Sequence, residues 1–189
     1  DFSLNGGLIK GDKVIAFLNN LLGNANIEDL PIPFVIVATN LKTGYPKIIK
    51  KGNLAEAIRA SGSLPLIFKP AKIGNNLYID GGVTIPVPIR PVKELGANRV
   101  IASCMDSELL PLEIESNGRL TINSIERSIS LMIRDLSLRD CKEADVTITP
   151  NFKSFGDPGN LSNYPKRKEI ITQGEIATLK HIERIKRLV

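Results

Sequence analysis

Aromatic residues make up only 5% of this chain, tryptophan is absent and histidine occurs once. Each scarcity removes a class of function. Without aromatic–basic interleaving or zinc-finger spacing, the usual signatures of a nucleic-acid-binding surface are missing. A single histidine, His181, flanked by Lys180 and Ile182, leaves no ordinary His/Cys zinc site and no Ser-His-Asp triad within the chain. His181 reads as a surface residue of a basic helix. The two cysteines, Cys104 and Cys141, are far apart and form neither a Cys-x-x-Cys pair nor a disulfide framework. Cys104 follows the apolar run Val100-Ile101-Ala102 and reads as a buried free thiol. No apolar run approaches the roughly 20 residues of a membrane helix. There is no G-x-S-x-G elbow, no Walker-type phosphate loop and no calcium-loop spacing. Neither a cofactor nor a metal is therefore expected.

What remains is an ordinary soluble composition, 42% hydrophobic and 24% charged over 189 residues, enough for one domain spanning 1–189 with a sizeable core. The charge is uneven. Of a net +5 and a pI near 9.3, an excess of +4 lies in residues 166–189, where seven Lys or Arg face Glu169, Glu175 and Glu183. Such an end suits anionic lipid, or is a solvated helix face.

Hydropathy periodicity predicts a helix over Val14–Leu22, with Asp12 as N-cap and Gly23 as its stop. A strand buried on both faces follows at Phe34–Ala38, then a turn at Thr39–Gly44 and a partner strand at Pro46–Lys51. A short helix at Leu54–Ala60 is broken by Ser61–Pro65. Asn75-Asn76 marks a turn before a strand at Leu77–Ile79. Pro86, Pro88 and Pro91 make Val83–Pro91 an extended connection, ahead of a short helix at Val92–Leu95. A second buried strand is expected at Arg99–Ser103, a helix from Leu120 to about Leu138, a strand at Asp145–Thr149 and a last amphipathic helix from about Lys168. Residues 1–11, 107–118 and 152–166 read as loops. Strands alternating with helices give an α/β sandwich.

The stretch Tyr78-Ile79-Asp80-Gly81-Gly82 stands out. An apolar strand ends in a carboxylate, followed by glycines whose backbone freedom could present it in a cleft. Asp-Gly is equally a strong hairpin-turn signal, and these residues alone leave both readings open.

The order of segments decides further. Phe34-Val35-Ile36-Val37-Ala38-Thr39-Asn40-Leu41-Lys42-Thr43-Gly44 precedes Gly52-Asn53-Leu54-Ala55-Glu56-Ala57-Ile58-Arg59-Ala60-Ser61-Gly62-Ser63-Leu64-Pro65. Then come Phe68-Lys69-Pro70, Tyr78-Ile79-Asp80-Gly81-Gly82, Pro86-Val87-Pro88 and Leu95-Gly96-Ala97. This set resembles the patatin-like phospholipase family, from about Gly7 to Ala102 and more weakly to the last helix. The resemblance implies a three-layer α/β/α sandwich, here incomplete at its N-terminal side. The chain would be the C-terminal two-thirds of such a domain. It also implies lipid acyl hydrolysis by a Ser–Asp dyad. Asp80 matches the dyad aspartate (the proton acceptor), and Gly81 and Gly82 match the turn that lets it reach the serine.

The nucleophile is not in this chain. Ser61 and Ser63 match a family segment that is not the nucleophile and read as helix termination and loop packing. The resemblance therefore implies a companion N-terminal segment, on a second polypeptide, carrying G-x-S-x-G and the oxyanion glycines. Alone, the chain should be inactive, with an unpaired sheet edge. The expected partners are that segment, a phospholipid, lysophospholipid or simpler acyl ester, an anionic membrane touched peripherally, and a second copy of the chain. Nucleic acid is not expected, and the expected location is cytoplasmic or peripheral at a membrane. The loops 107–118 and 152–166 are candidates for shaping an apolar channel. A non-catalytic scaffold or regulator on the same fold is the competing class.

Overall fold

A computed structural model of the protein describes residues 9–105, 120–152 and 166–188. It is a mixed α/β structure, as expected. The chain divides into two compact units, Asp1–Gly96 and Ala97–Val189.

The first unit opens with helix α1, Asp12–Leu22. Its N-cap is Gly11 rather than Asp12, at φ +88°. Asp12 instead lies in the first turn, where a carboxylate meets the positive end of the helix dipole. Gly23, at φ +66°, ends the helix as expected. Strand β1 is Ile36–Asn40, two residues later than the apolar run suggests. Pro31 and Pro33 precede it and Phe34 is exposed. Thr39 therefore belongs to the strand and not to the turn, and it is buried. The turn is built by Asn40, whose Oδ1 accepts from the Lys42 and Thr43 amides and whose carbonyl accepts from Gly44. Strand β2, Pro46–Ile49, returns antiparallel.

Helix α2, Leu54–Ser61, is capped by Asn53, whose side chain accepts from the Glu56 amide. Its Leu54, Ala57 and Ala60 pack with Ile27, Ile36, Ala38, Ile49 and Tyr78 in one buried cluster. At roughly 25 cal/mol per Å² of apolar surface removed from water, such a cluster is the main force holding helix to sheet. Strand β3, Ala71–Ile73, was not anticipated. It pairs with strand β4, Asn76–Asp80, through a tight turn at Gly74, φ +57°. That turn lies one residue before the expected one. The sheet order is β2-β1-β4-β3, antiparallel throughout. After a 3-10 turn at Gly81–Val83 comes helix α3, Ile89–Lys93, where an extended segment was expected. Pro88 caps it and Pro91 lies in its first turn, a position whose N–H has no intrahelical partner anyway.

In the second unit, strand β5, Ile101–Ser103, pairs in parallel with strand β6, Val146–Ile148. Strand β5 is not buried on both faces as its composition suggests. Only Ala102 is buried, between exposed Ile101 and Ser103. Helix α4 spans Leu120–Cys141. The expected last helix is two: α5, Arg167–Leu179, and α6, Ile182–Lys186, interrupted at Lys180–His181. Val146, Ile148 and Ala177 form one buried cluster here, with Ile185 and Leu188 against it. Cys104 and Cys141 are both buried free thiols. The expected loops over 1–8, 107–118 and 153–165 lie outside the described residues.

Candidate active site

Asp80 is the last residue of β4, opposite Ala38 in the antiparallel register with β1. Three separate elements hold it. Its N–H donates to the carbonyl of Ser63, on the loop after α2, at 3.1 Å. Its carbonyl accepts from the Thr39 hydroxyl of β1 at 2.8 Å. Its carboxylate Oδ1 accepts from the Gly82 amide at 2.6 Å. The short last bond fixes the side-chain rotamer. The backbone and one carboxylate oxygen are therefore both held in place.

The two glycines have a different cause from the one the sequence suggests. Neither has a positive φ. Gly81 is buried against β1, and a Cβ there would run into the Val37 carbonyl. A Cβ on Gly82 would stand 2.9 Å from Asp80 Oδ1. Both positions demand close approach rather than left-handed backbone. The chain makes a 3-10 turn, in which Thr84 and Ile85 donate to the Gly81 carbonyl at 3.1 and 2.9 Å. The Asp-Gly signal is thus a helical turn at a strand end and not a hairpin.

Gly81→Ala should cost about 3 kcal/mol, the upper range for overpacking, because the obstacle is backbone and cannot swing aside. Urea denaturation of the full-length protein measures it. A variant as stable as wild type would mean that β1 and the turn separate freely.

Beneath the turn lies a buried polar cluster that the sequence reading missed. Arg59 of α2 is 4% exposed. Its guanidinium donates to Ser63 Oγ, to the Lys10 carbonyl at 2.8 Å and to the Lys69 carbonyl at 2.9 Å. The Phe68 ring lies 4.6 Å from its Cζ. Burial lowers its pKa and the charge of Asp12 opposes that shift. Ser63 is completely buried, and its hydroxyl donates to the Arg59 carbonyl at 2.8 Å. Ser63 thus packs against the arginine and presents its own carbonyl to Asp80. Ser61 ends α2. Periodicity gives no signal for this cluster, because Arg59 lies on the face of α2 away from Leu54, Ala57 and Ala60.

Gly11 belongs to the same arrangement, since a Cβ there would collide with the Arg59 guanidinium. All of these residues lie in the first unit. Among the described residues, no group of three or more His, Cys, Asp or Glu is arranged to hold a metal. His181 is partly exposed, at the break between α5 and α6.

The family profile for patatin-like phospholipase matches residues 1–93. An NTE family protein of Mycobacterium bovis is 34% identical over 96 residues, 51% of this chain and 27% of that protein. A second NTE family protein, from Mycobacterium tuberculosis, is 35% identical over 81 residues, 43% of this chain and 14% of its own length. Lysophospholipase NTE1 of Cryptococcus neoformans is 33% identical over 78 residues, 41% of this chain and 5% of that enzyme. The match thus spans about a quarter of the mycobacterial relative first named, and far less of the fungal one. Residues 1–93 thus match the patatin-like phospholipase family.

Proposed function

We propose that this chain supplies the general base of a serine-dependent lipid acyl hydrolase. Asp80 carries the proposal: it is a carboxylate at a strand end, its backbone anchored on both sides and one oxygen held by an amide. In the assembled enzyme the serine of a companion N-terminal segment, within a G-x-S-x-G elbow, faces Asp80. Asp80 takes the hydroxyl proton as the serine oxygen attacks the ester carbonyl, and backbone N–H groups of that segment hold the oxyanion. The alcohol or lysolipid leaves with the proton and an acyl-enzyme remains. Water, deprotonated by the same carboxylate, releases the fatty acid and regenerates the serine. One carboxylate does what a His–Asp pair does elsewhere.

The match to the patatin-like family and the lysophospholipase name of the fungal relative support an acyl ester of a phospholipid or lysophospholipid as substrate. The excess of basic residues over 166–189 favours peripheral contact with anionic lipid. Among the described residues no helix is long and apolar enough to cross a membrane.

The test is labelling of the full-length protein with a fluorophosphonate, followed by peptide mapping. The label should fall on a serine outside residues 1–189, and lipid ester hydrolysis should stop in proportion. A label on Ser61 or Ser63 would overturn the placing of the nucleophile outside this chain, and no label at all would favour the non-catalytic scaffold.

A further inference from the structure

The mechanism above uses the carboxylate of Asp80. The structure also fixes how the peptide behind that carboxylate is held, and two hydroxyls outside the dyad do it. Thr39 is 3% exposed, and its Oγ1 lies 2.8 Å from the Asp80 carbonyl and 2.9 Å from Thr84 Oγ1. A carbonyl only accepts, so the single Thr39 proton goes to Asp80. Thr39 Oγ1 must then accept from Thr84, which fixes the direction of the chain: Thr84 donates to Thr39, and Thr39 donates to Asp80. The Gly81 carbonyl, 3.4 Å from Thr84 Oγ1, is the weaker alternative acceptor for the Thr84 proton.

We infer that the Thr84–Thr39 hydroxyl chain is a positioning device for the general base, with Thr39 setting the Asp80 peptide and Thr84 setting Thr39. This inference rests on the proposed role of Asp80. The physical reason is the place where the strand ends. Asp80 ends β4, and beyond it the chain enters the 3-10 turn. The Thr39 hydroxyl reaches the Asp80 carbonyl from the neighbouring strand. It ties β1 to the Asp80–Gly81 peptide, and that peptide in turn aims Oδ1 at the Gly82 amide. Removing the hydroxyl frees the peptide to rotate, and the carboxylate rotates with it.

A structural threonine and a positioning threonine differ in what their loss changes. Thr39→Val keeps the shape and deletes the donor, and Thr39→Ser keeps the donor. In the full-length protein, Thr39→Val should lower kcat for an acyl ester by roughly 10- to 100-fold with little change in KM, the size expected from misplacing a reacting group by under an ångström. Thr39→Ser should restore it. Thr84→Val should have a smaller effect, and the double variant should be no worse than Thr39→Val alone, because both act through one hydrogen-bond chain.

A second measurement does not depend on turnover. The Gly82 amide is bonded to Asp80 Oδ1, so its hydrogen exchange reports the aim of the carboxylate. It should rise about ten-fold in Thr39→Val and return in Thr39→Ser. The inference is overturned if Thr39→Val leaves kcat unchanged. It is overturned also if serine does not rescue the loss, or if kcat falls while Gly82 exchange stays as in wild type. Should the wild type turn over no ester, faster Gly82 exchange in Thr39→Val supports the hydroxyl chain and the fault lies with the hydrolase proposal. Unaltered exchange sinks the inference outright.

Discussion

Asp80→Asn in the full-length protein should reduce acyl-ester hydrolysis by about 10²–10⁴-fold, the range a positioned general base contributes. The variant should melt within about 3 °C of wild type, which for a chain of this size is on the order of 1 kcal/mol. The two expectations separate because each contact of Asp80 named here survives the substitution. Its N–H still donates to Ser63, its carbonyl still accepts from Thr39, and an amide oxygen can still accept from Gly82. What disappears is basicity. An amide cannot take the proton of an attacking hydroxyl. An amide oxygen also accepts from Gly82 less strongly than a carboxylate does, which accounts for the small stability term. Release of fatty acid from a lysophospholipid, read beside a thermal melt, decides it. Turnover within a few-fold of wild type would remove Asp80 from the mechanism. A collapse of the melt would show instead that the carboxylate is a structural ion.

The position of Asp80 was legible because it depends on local pattern: an apolar run, an acid, two glycines. The reason for Gly81 was not, since it lies in the Val37 carbonyl on a strand more than forty residues earlier. The same division runs through the fold. α1 and α2 announce themselves by periodicity and by Gly23 and Asn53 at their ends. Strand β3 does not, because Ala71-Lys72-Ile73 is too short to show alternation and exists by pairing with β4. Strand β5 misleads in the other direction, as Ile101 is exposed and only Ala102 is buried. Thr39 reads from sequence as the first residue of the turn that in fact begins one residue later, which hides the hydroxyl behind the aspartate. Leu66, at φ +71°, illustrates the limit: no residue type in Leu64-Pro65-Leu66 signals a left-handed conformation. The family's segment order could be read along the chain. The bonds that join those segments could not.

Arg59→Met should destabilise the full-length protein by about 3–5 kcal/mol, the cost of removing one partner from a buried charged network. Replacing a whole buried ion pair by apolar groups is often harmless, but this case differs. The acceptors are the Ser63 hydroxyl and the Lys10 and Lys69 carbonyls, and two of them are main chain that no substitution removes. Each buried acceptor left without a donor costs about 1–3 kcal/mol. Arg59→Lys should recover only part of this, because one ammonium cannot reproduce a planar fork that reaches three acceptors and also lies against Phe68. The arginine itself is not fully satisfied. Its Nε is buried without a hydrogen-bond partner among the described residues, covered by Gly11. The cluster is therefore held by the other two nitrogens, and losing them should be felt at the site as well. Ser63 presents its carbonyl to the Asp80 amide, so the loop after α2 cannot relax without releasing one anchor of the candidate base. Urea denaturation gives the stability, and ester hydrolysis well below the midpoint gives the coupling. If Arg59→Met lost less than about 1 kcal/mol, the acceptors would have found water and the network would not be holding the site. If stability fell while the folded fraction kept full activity, the Arg59–Ser63 cluster would support the fold without acting on Asp80.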